Sequence, residues 1–132
     1  MKYKKGYKYQ LMSPETFQTE IRPDTTILTE FITMTPDGCI TVKRGYAWDG
    51  SSGPTLDTRA NMRGSLLHDA LYQLMRMELL QQKWRVQADK EFIKVCHKDG
   101  MWKVRQKWTY RGLQIAQGTA ALPKNKKKIY EV

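Results

Sequence analysis

The sequence predicts an α+β fold, in which N-terminal antiparallel β-strands with a hairpin are followed by an antiparallel helix pair and a third helix. Three observations carry that expectation. The first half alternates apolar and polar residues around a Pro-Asp-Gly turn. The second half spaces its apolar residues at helical intervals. The segment joining the first two helices is short, which makes them antiparallel neighbours.

Taken in order, "YKYQLM" (7–12) is a short alternating run with strand character. "TILTEFITM" (26–34) and "CITVK" (39–43) then flank "TPDG" (35–38), a turn of the kind that closes hairpins. "GYAWDGSSGPTLDT" (45–58) is rich in Gly, Ser, Asp and Pro and reads as a loop. The first helix is predicted over about residues 60–76, with Leu67, Ala70, Leu71, Leu74 and Met75 at helical spacing. The second covers about residues 84–98, with Gly100 of "KDG" where a C-terminal glycine belongs. The third begins near Met101 and runs to about Gly118, stopping before Pro123.

A chain of 132 residues with 40% hydrophobic and 27% charged residues fits one globular domain with a single core. Its expected parts are a β-rich stretch over 1–58, a helical stretch over 59–122 and a basic tail over 123–132. No apolar stretch is long enough to cross a bilayer, and "MKYKKGYKYQ" has no apolar segment behind its charges, so no secretory signal is expected. Two cysteines, Cys39 and Cys96, exclude a disulfide framework and favour a reducing compartment.

The formal charge of +10 is concentrated in three places. Lys2, Lys4, Lys5 and Lys8 open the chain, and Lys124 with Lys126, Lys127 and Lys128 nearly close it. Between them "HKDGMWKVRQKWTYRG" (97–112) interleaves cations with Trp102, Trp108 and Tyr110. Such a surface suits anionic lipid headgroups, an acidic protein partner or nucleic acid, and equally a solvated face, since charge alone names no partner. Nucleic acid ranks last, because no recognition motif accompanies the charge.

The chemistry-bearing residues lie on the first two helices. His68, Leu71, Tyr72 and Met75 form one stripe, and Asp89, Phe92, Ile93 and Cys96 form another. Each apolar stripe thus carries one ionisable residue, and antiparallel packing through the stripes brings His68 to Asp89. A carboxylate buried there needs such a partner. In a His-Asp pair the carboxylate fixes the ring tautomer and leaves the other nitrogen to take a proton from water. The same pair also serves as a purely structural tie between helices. Asp69 points elsewhere on the first helix and has the oxygen chemistry of a hard-cation ligand. The loop "WDGSSGP" (48–54), with Asp49 and Gly50, offers further oxygens for Ca²⁺.

Other polar residues have simpler readings. Ser51 fits a turn-stiffening role, Asp49 fits either a turn or the site, and Asp57 fits a helix cap. His97 has no further Cys or His at metal-ligand spacing, so no zinc site is expected. Cys39 beside the hairpin turn reads as a small strand residue.

"HDALY" (68–72) resembles the H-D-x-x-Y motif of secretory phospholipase A2, and "RVQADKEF" (85–92) resembles the segment carrying that family's second aspartate. The resemblance covers about residues 64–118, with Leu71 standing where the family has a cysteine. It implies a phospholipase-A2-like helical core with His68 as the base, Asp89 as the orienting carboxylate and Tyr72 as a supporting hydroxyl. It further implies Asp69 as a Ca²⁺ ligand and Tyr110 as another hydroxyl on the Asp89 side. The loop with Asp49 and Gly50 departs from that family's calcium loop and is a candidate by its own oxygens, and Arg85 is a candidate supporting residue. Trp102, Lys103, Arg105, Lys107 and Arg111 on the third helix would then face an anionic phospholipid surface or another protein.

A second resemblance covers more of the chain. "GYAWDGSSGPT", "LLHDALY" and the spaced Arg85, Ala88, Asp89 and Phe92 are together similar to an uncharacterised family of small proteins encoded in tailed bacteriophages and prophages. It implies a phage origin, with the host cytoplasm or the virion as location. Two functions are therefore expected as alternatives: a phage-encoded, calcium-dependent hydrolase of phospholipid esters, or a virion or tail-assembly protein whose His-Asp pair is structural.

Overall fold

The computed structural model describes residues 1–5, 9–48, 59–101, 106–107 and 110–111. The chain falls into two compact units, divided between Asp49 and Gly50. The first is built from strands and the second from helices, so the fold is mixed α+β.

Seven strands are present among the described residues: β1 Tyr3–Lys5, β2 Tyr9–Leu11, β3 Glu15–Gln18, β4 Ile27–Leu28, β5 Ile32–Met34, β6 Cys39–Val42 and β7 Ala47–Trp48. They form two antiparallel sheets, one in the order β1-β2-β7 and one in the order β3-β6-β5-β4. In the larger sheet the register sets Phe17, Ile40, Met34 and Ile27 in one row across all four strands, and all four are buried. Strand alternation sends Thr16, Thr41, Thr33 and Leu28 to the opposite face, where Leu28 is exposed. In the smaller sheet Tyr3, Tyr9 and Trp48 share a face, and their ring centroids lie 5.5–5.9 Å apart.

The Pro-Asp-Gly turn closes the β5–β6 hairpin as expected. Gly38 N–H donates to Thr35 O at 2.9 Å, and the Thr35 hydroxyl bonds the Asp37 carboxylate. That hydroxyl, with the Cys39 backbone N–H, holds the Asp37 carboxyl below its usual range. Gly38 has φ of 91°, and a Cβ there would come within 2.4 Å of Thr19 O, so only glycine fits.

Four strand assignments differ from the expectation, the first being β1, which precedes the run at 7–12 and pairs with β2. "TILTEFITM" is not one strand but the tight hairpin β4–β5, turned at Thr29. Thr29 Oγ1 donates to Ile32 O and accepts from Ile32 N–H, both at 2.9 Å, so a β-branched residue serves as turn former. Strand β3 lies where no strand was expected, because Phe17 is its only large apolar residue. Strand β7 takes the start of the Gly-rich loop, where pairing with β2 outweighs local composition.

In the second unit α1 spans Arg59–Arg76 and α2 spans Arg85–Lys98, joined through a 3-10 turn at Gln82–Trp84. Arg63 meets Asp99 at 3.0 Å near one end, and Tyr72 meets Asp89 further along, so the helices run antiparallel. They approach closely at Gly64, where an added Cβ would lie 2.8 Å from Cys96 Sγ and 3.0 Å from Phe92 O. Helix α1 is buried not on one stripe but almost all round: from Ser65 to Arg76 only Asp69 is partly exposed.

Both helices end in Schellman motifs. After α2, Met101 N–H reaches Cys96 O and Gly100 N–H reaches His97 O, and Met101 packs on Cys96 and Phe92. After α1, Leu79 N–H reaches Leu74 O and Glu78 N–H reaches Met75 O, but here the left-handed position is Glu78, with φ of 62°. Residues 106–107 and 110–111 are helical; the rest of the expected third helix lies outside the described residues. No helix among the described residues is long and apolar enough to cross a membrane. Cys39 and Cys96 are free thiols.

Candidate functional site

The site is built by two helix faces that the sequence spaces alike. His68 and Tyr72 are one turn apart on α1, and Asp89 and Phe92 are neighbours on the facing side of α2. His68 Nε2 lies 2.6 Å from Asp89 Oδ1, and the Tyr72 hydroxyl donates to the same oxygen at 2.7 Å. The Tyr72 ring stacks obliquely on the imidazole with centroids 4.1 Å apart. Phe92 presents its ring edge-to-face to the imidazole at 5.3 Å. His68 is 5% exposed and Tyr72 and Asp89 are 1% exposed each, so the cluster is buried.

These contacts bear on the tautomer of the imidazole ring. An aspartate that receives a hydroxyl proton and an imidazole N–H on one oxygen acts as an ionised acceptor. The neutral imidazole therefore carries its proton on Nε2, which leaves the Nδ1 lone pair as the basic position. Burial pushes the Tyr72 phenol well above its usual range, and the Asp89 charge and hydrogen bond push it further. Arg85 and Arg76 oppose that shift, which places both guanidinium groups within electrostatic reach of the phenol. The arrangement can hold an imidazole rigidly beside a carboxylate and move a proton at Nδ1.

The structure brings together His68, Asp89 and Tyr72, with Arg85 nearby. Asp69 is on a different face, 19% exposed at its side chain, with its Oδ1 3.9 Å from Arg76 Nη2. A cation on Asp69 would share that carboxylate with a guanidinium. The other expected ligands, Asp49 and Gly50, lie outside the described residues. Among the described residues no three His, Cys, Asp or Glu side chains stand together as a metal site. Tyr110 is half-buried. Lys107 and Arg111 are exposed, whereas Trp102, Lys103 and Arg105 lie outside the described residues.

Sequence reasoning did not single out Gln73, Arg76 and Glu91. Arg76 is 2% exposed, donating from Nη2 to Gln73 Oε1 at 3.0 Å. Glu91 is equally buried, accepting from Gln87 Nε2 at 2.6 Å with Lys94 Nζ at 3.5 Å. The recurrence of Asp69, Gln73 and Arg76 along one side of α1 was the available signal, but such a row ordinarily faces water. No protein-family model, curated protein or solved structure matches this chain.

Proposed function

We propose that the His68–Asp89–Tyr72 cluster is the general-base centre of a small phage-encoded hydrolase, acting on phospholipid esters with a phospholipase-A2-like helical core. The observation that carries this reading is the 2.6 Å contact of His68 Nε2 with Asp89, which leaves Nδ1 as the basic nitrogen. In the proposed reaction Nδ1 takes a proton from water as the oxygen attacks the ester carbonyl. Asp89 stabilises the imidazolium, with Tyr72 steadying the carboxylate. Collapse of the tetrahedral intermediate returns the Nδ1 proton to the departing alkoxide, releasing a fatty acid and a lysophospholipid. The sequence resemblance to phospholipase A2 supports the substrate class.

The test is fatty-acid release from phosphatidylglycerol vesicles by the wild-type protein and His68→Ala, each with Ca²⁺ and with chelator. Release that falls about a hundredfold or more in His68→Ala, with helical content retained, supports the base assignment. The chelator arm decides whether Ca²⁺ belongs to the reaction.

A second reading, a virion or tail-assembly protein with a structural His-Asp pair, is favoured by the near-complete burial of the three side chains. It predicts no release under either condition, a His68→Ala variant that loses its fold, and self-association or assembly with another phage protein.

A further inference from the structure

The first unit contains a groove that the His68 cluster does not use. It has a volume of about 380 Å³ and is lined by Lys4, Gln10, Leu11, Met12, Arg44 and Gly45. Strand register puts Lys4 opposite Gln10, on the face away from the Tyr3, Tyr9 and Trp48 rings. The far wall is the turn after β6, latched to β2 by two backbone bonds. Leu11 N–H donates to Tyr46 O at 2.9 Å, and Gly45 N–H donates to Leu11 O at 2.8 Å. Gln10 Nε2 adds a third bond to Gly45 O at 3.3 Å. Two cations from separate segments are thereby held on one groove. Among the described residues neither Lys4 nor Arg44 makes an ion pair, and none of those that line the groove is a carboxylate.

We propose that this groove binds a phosphate group. A guanidinium fork takes two oxygens of a phosphate, and an ammonium supplies a point charge to a third. A phosphate ester carries more negative charge and more acceptor oxygens than a carboxylate, which suits two cations with no anion among the described lining residues. Met12, 39% exposed at the rim, provides an apolar wall for the carbon chain that carries the phosphate. The phosphate comes from a lipid headgroup or from a soluble phosphate ester, and both present the same oxygens. Binding here is independent of turnover at His68, so its failure and the failure of the hydrolytic reading are separable.

The experiment compares the wild-type chain with Lys4→Gln/Arg44→Gln and with a charge-matched control, Lys90→Gln/Lys98→Gln, whose lysines are exposed on α2. Each is titrated with glycerol 3-phosphate by amide chemical shift. Each is then sedimented with phosphatidylcholine vesicles containing or lacking phosphatidylglycerol. The proposal expects saturable binding by the wild type and the control, weakened about tenfold or more in the groove variant. If glycerol 3-phosphate saturates the site, a soluble ester suffices as the ligand. If only anionic vesicles bind, with the same ranking of variants, the headgroup is the ligand. Absence of binding to both probes overturns the proposal, and so does equal weakening in the groove variant and the control.

Discussion

Asp89 is the residue whose replacement reports most on the cluster, because one of its oxygens accepts from both His68 Nε2–H and Tyr72 O–H. Hydrogen bonds to a charged group contribute about 1.5–3 kcal/mol and those between neutral groups about 0.5–1.5 kcal/mol. Asp89→Asn keeps the shape and removes the charge, so it should cost about 1 kcal/mol per bond and about 2 kcal/mol in all. Asp89→Ala leaves two buried donors unsatisfied and should cost about 4 kcal/mol, a large share of the stability of a small domain. Tyr72→Phe removes one charge-assisted bond while His68 still satisfies the oxygen, and should cost about 2 kcal/mol. Since the two donors share an acceptor, the Tyr72→Phe/Asp89→Asn variant should lose about 1 kcal/mol less than the separate losses predict. Urea unfolding midpoints at unchanged m measure all four. Additivity within about 0.3 kcal/mol, or an Asp89→Ala variant as stable as the wild type, would refute a shared buried acceptor.

Three further outcomes follow from the helices. Gly64→Ala gains about 1 kcal/mol of helix propensity but forces a Cβ against Cys96 Sγ and Phe92 O, so a net loss of about 1 kcal/mol is expected. Adding Cys96→Ala should recover part of it by removing the sulfur, and a Gly64→Ala chain that unfolds at higher denaturant contradicts the close helix approach. Glu78→Gly should raise stability by about 0.5–1 kcal/mol, because a left-handed C′ position with φ of 62° favours glycine; a lowered thermal midpoint would count against it. Because the folded-state pKa of Tyr72 is raised above 10.0, the native state keeps a proton that the unfolded chain loses. Its contribution is intact below about pH 10 and falls by up to about 1.4 kcal/mol per unit above it. Wild-type stability should therefore decline more steeply with alkali than that of Tyr72→Phe, and parallel declines would speak against the buried phenol.

The helical half of the molecule was readable because its signal is local. His68 with Tyr72, and Asp89 with Phe92, recur at helical spacing, and a short connection leaves few ways to pair the two stripes. What the stripes hid was the burial of α1 on its remaining faces, since Ser65, Gln73 and Arg76 look like solvent-facing residues until the fold encloses them. Gly64 was illegible for a related reason: a helical glycine reads as a weak spot unless the facing backbone is known. The strands were harder to parse, because pairing partners decide them. Phe17 alone does not announce β3, and Thr29 turns the chain through side-chain bonds within a run of good β-formers. The Lys4–Arg44 groove depends on the latch between Leu11 and the turn after β6, a contact between distant segments that no local pattern encodes.

The central claim is that Asp89 fixes the His68 ring so that Nδ1 is the base. A long-range ¹H–¹⁵N correlation spectrum of the ¹⁵N-labelled protein, with the imidazole neutral, tests it most directly. The account predicts a proton on His68 Nε2 and an unprotonated Nδ1, with that preference weakened in Asp89→Asn. A neutral ring protonated on Nδ1 would contradict it, because Asp89 would then face a nitrogen with no proton to donate.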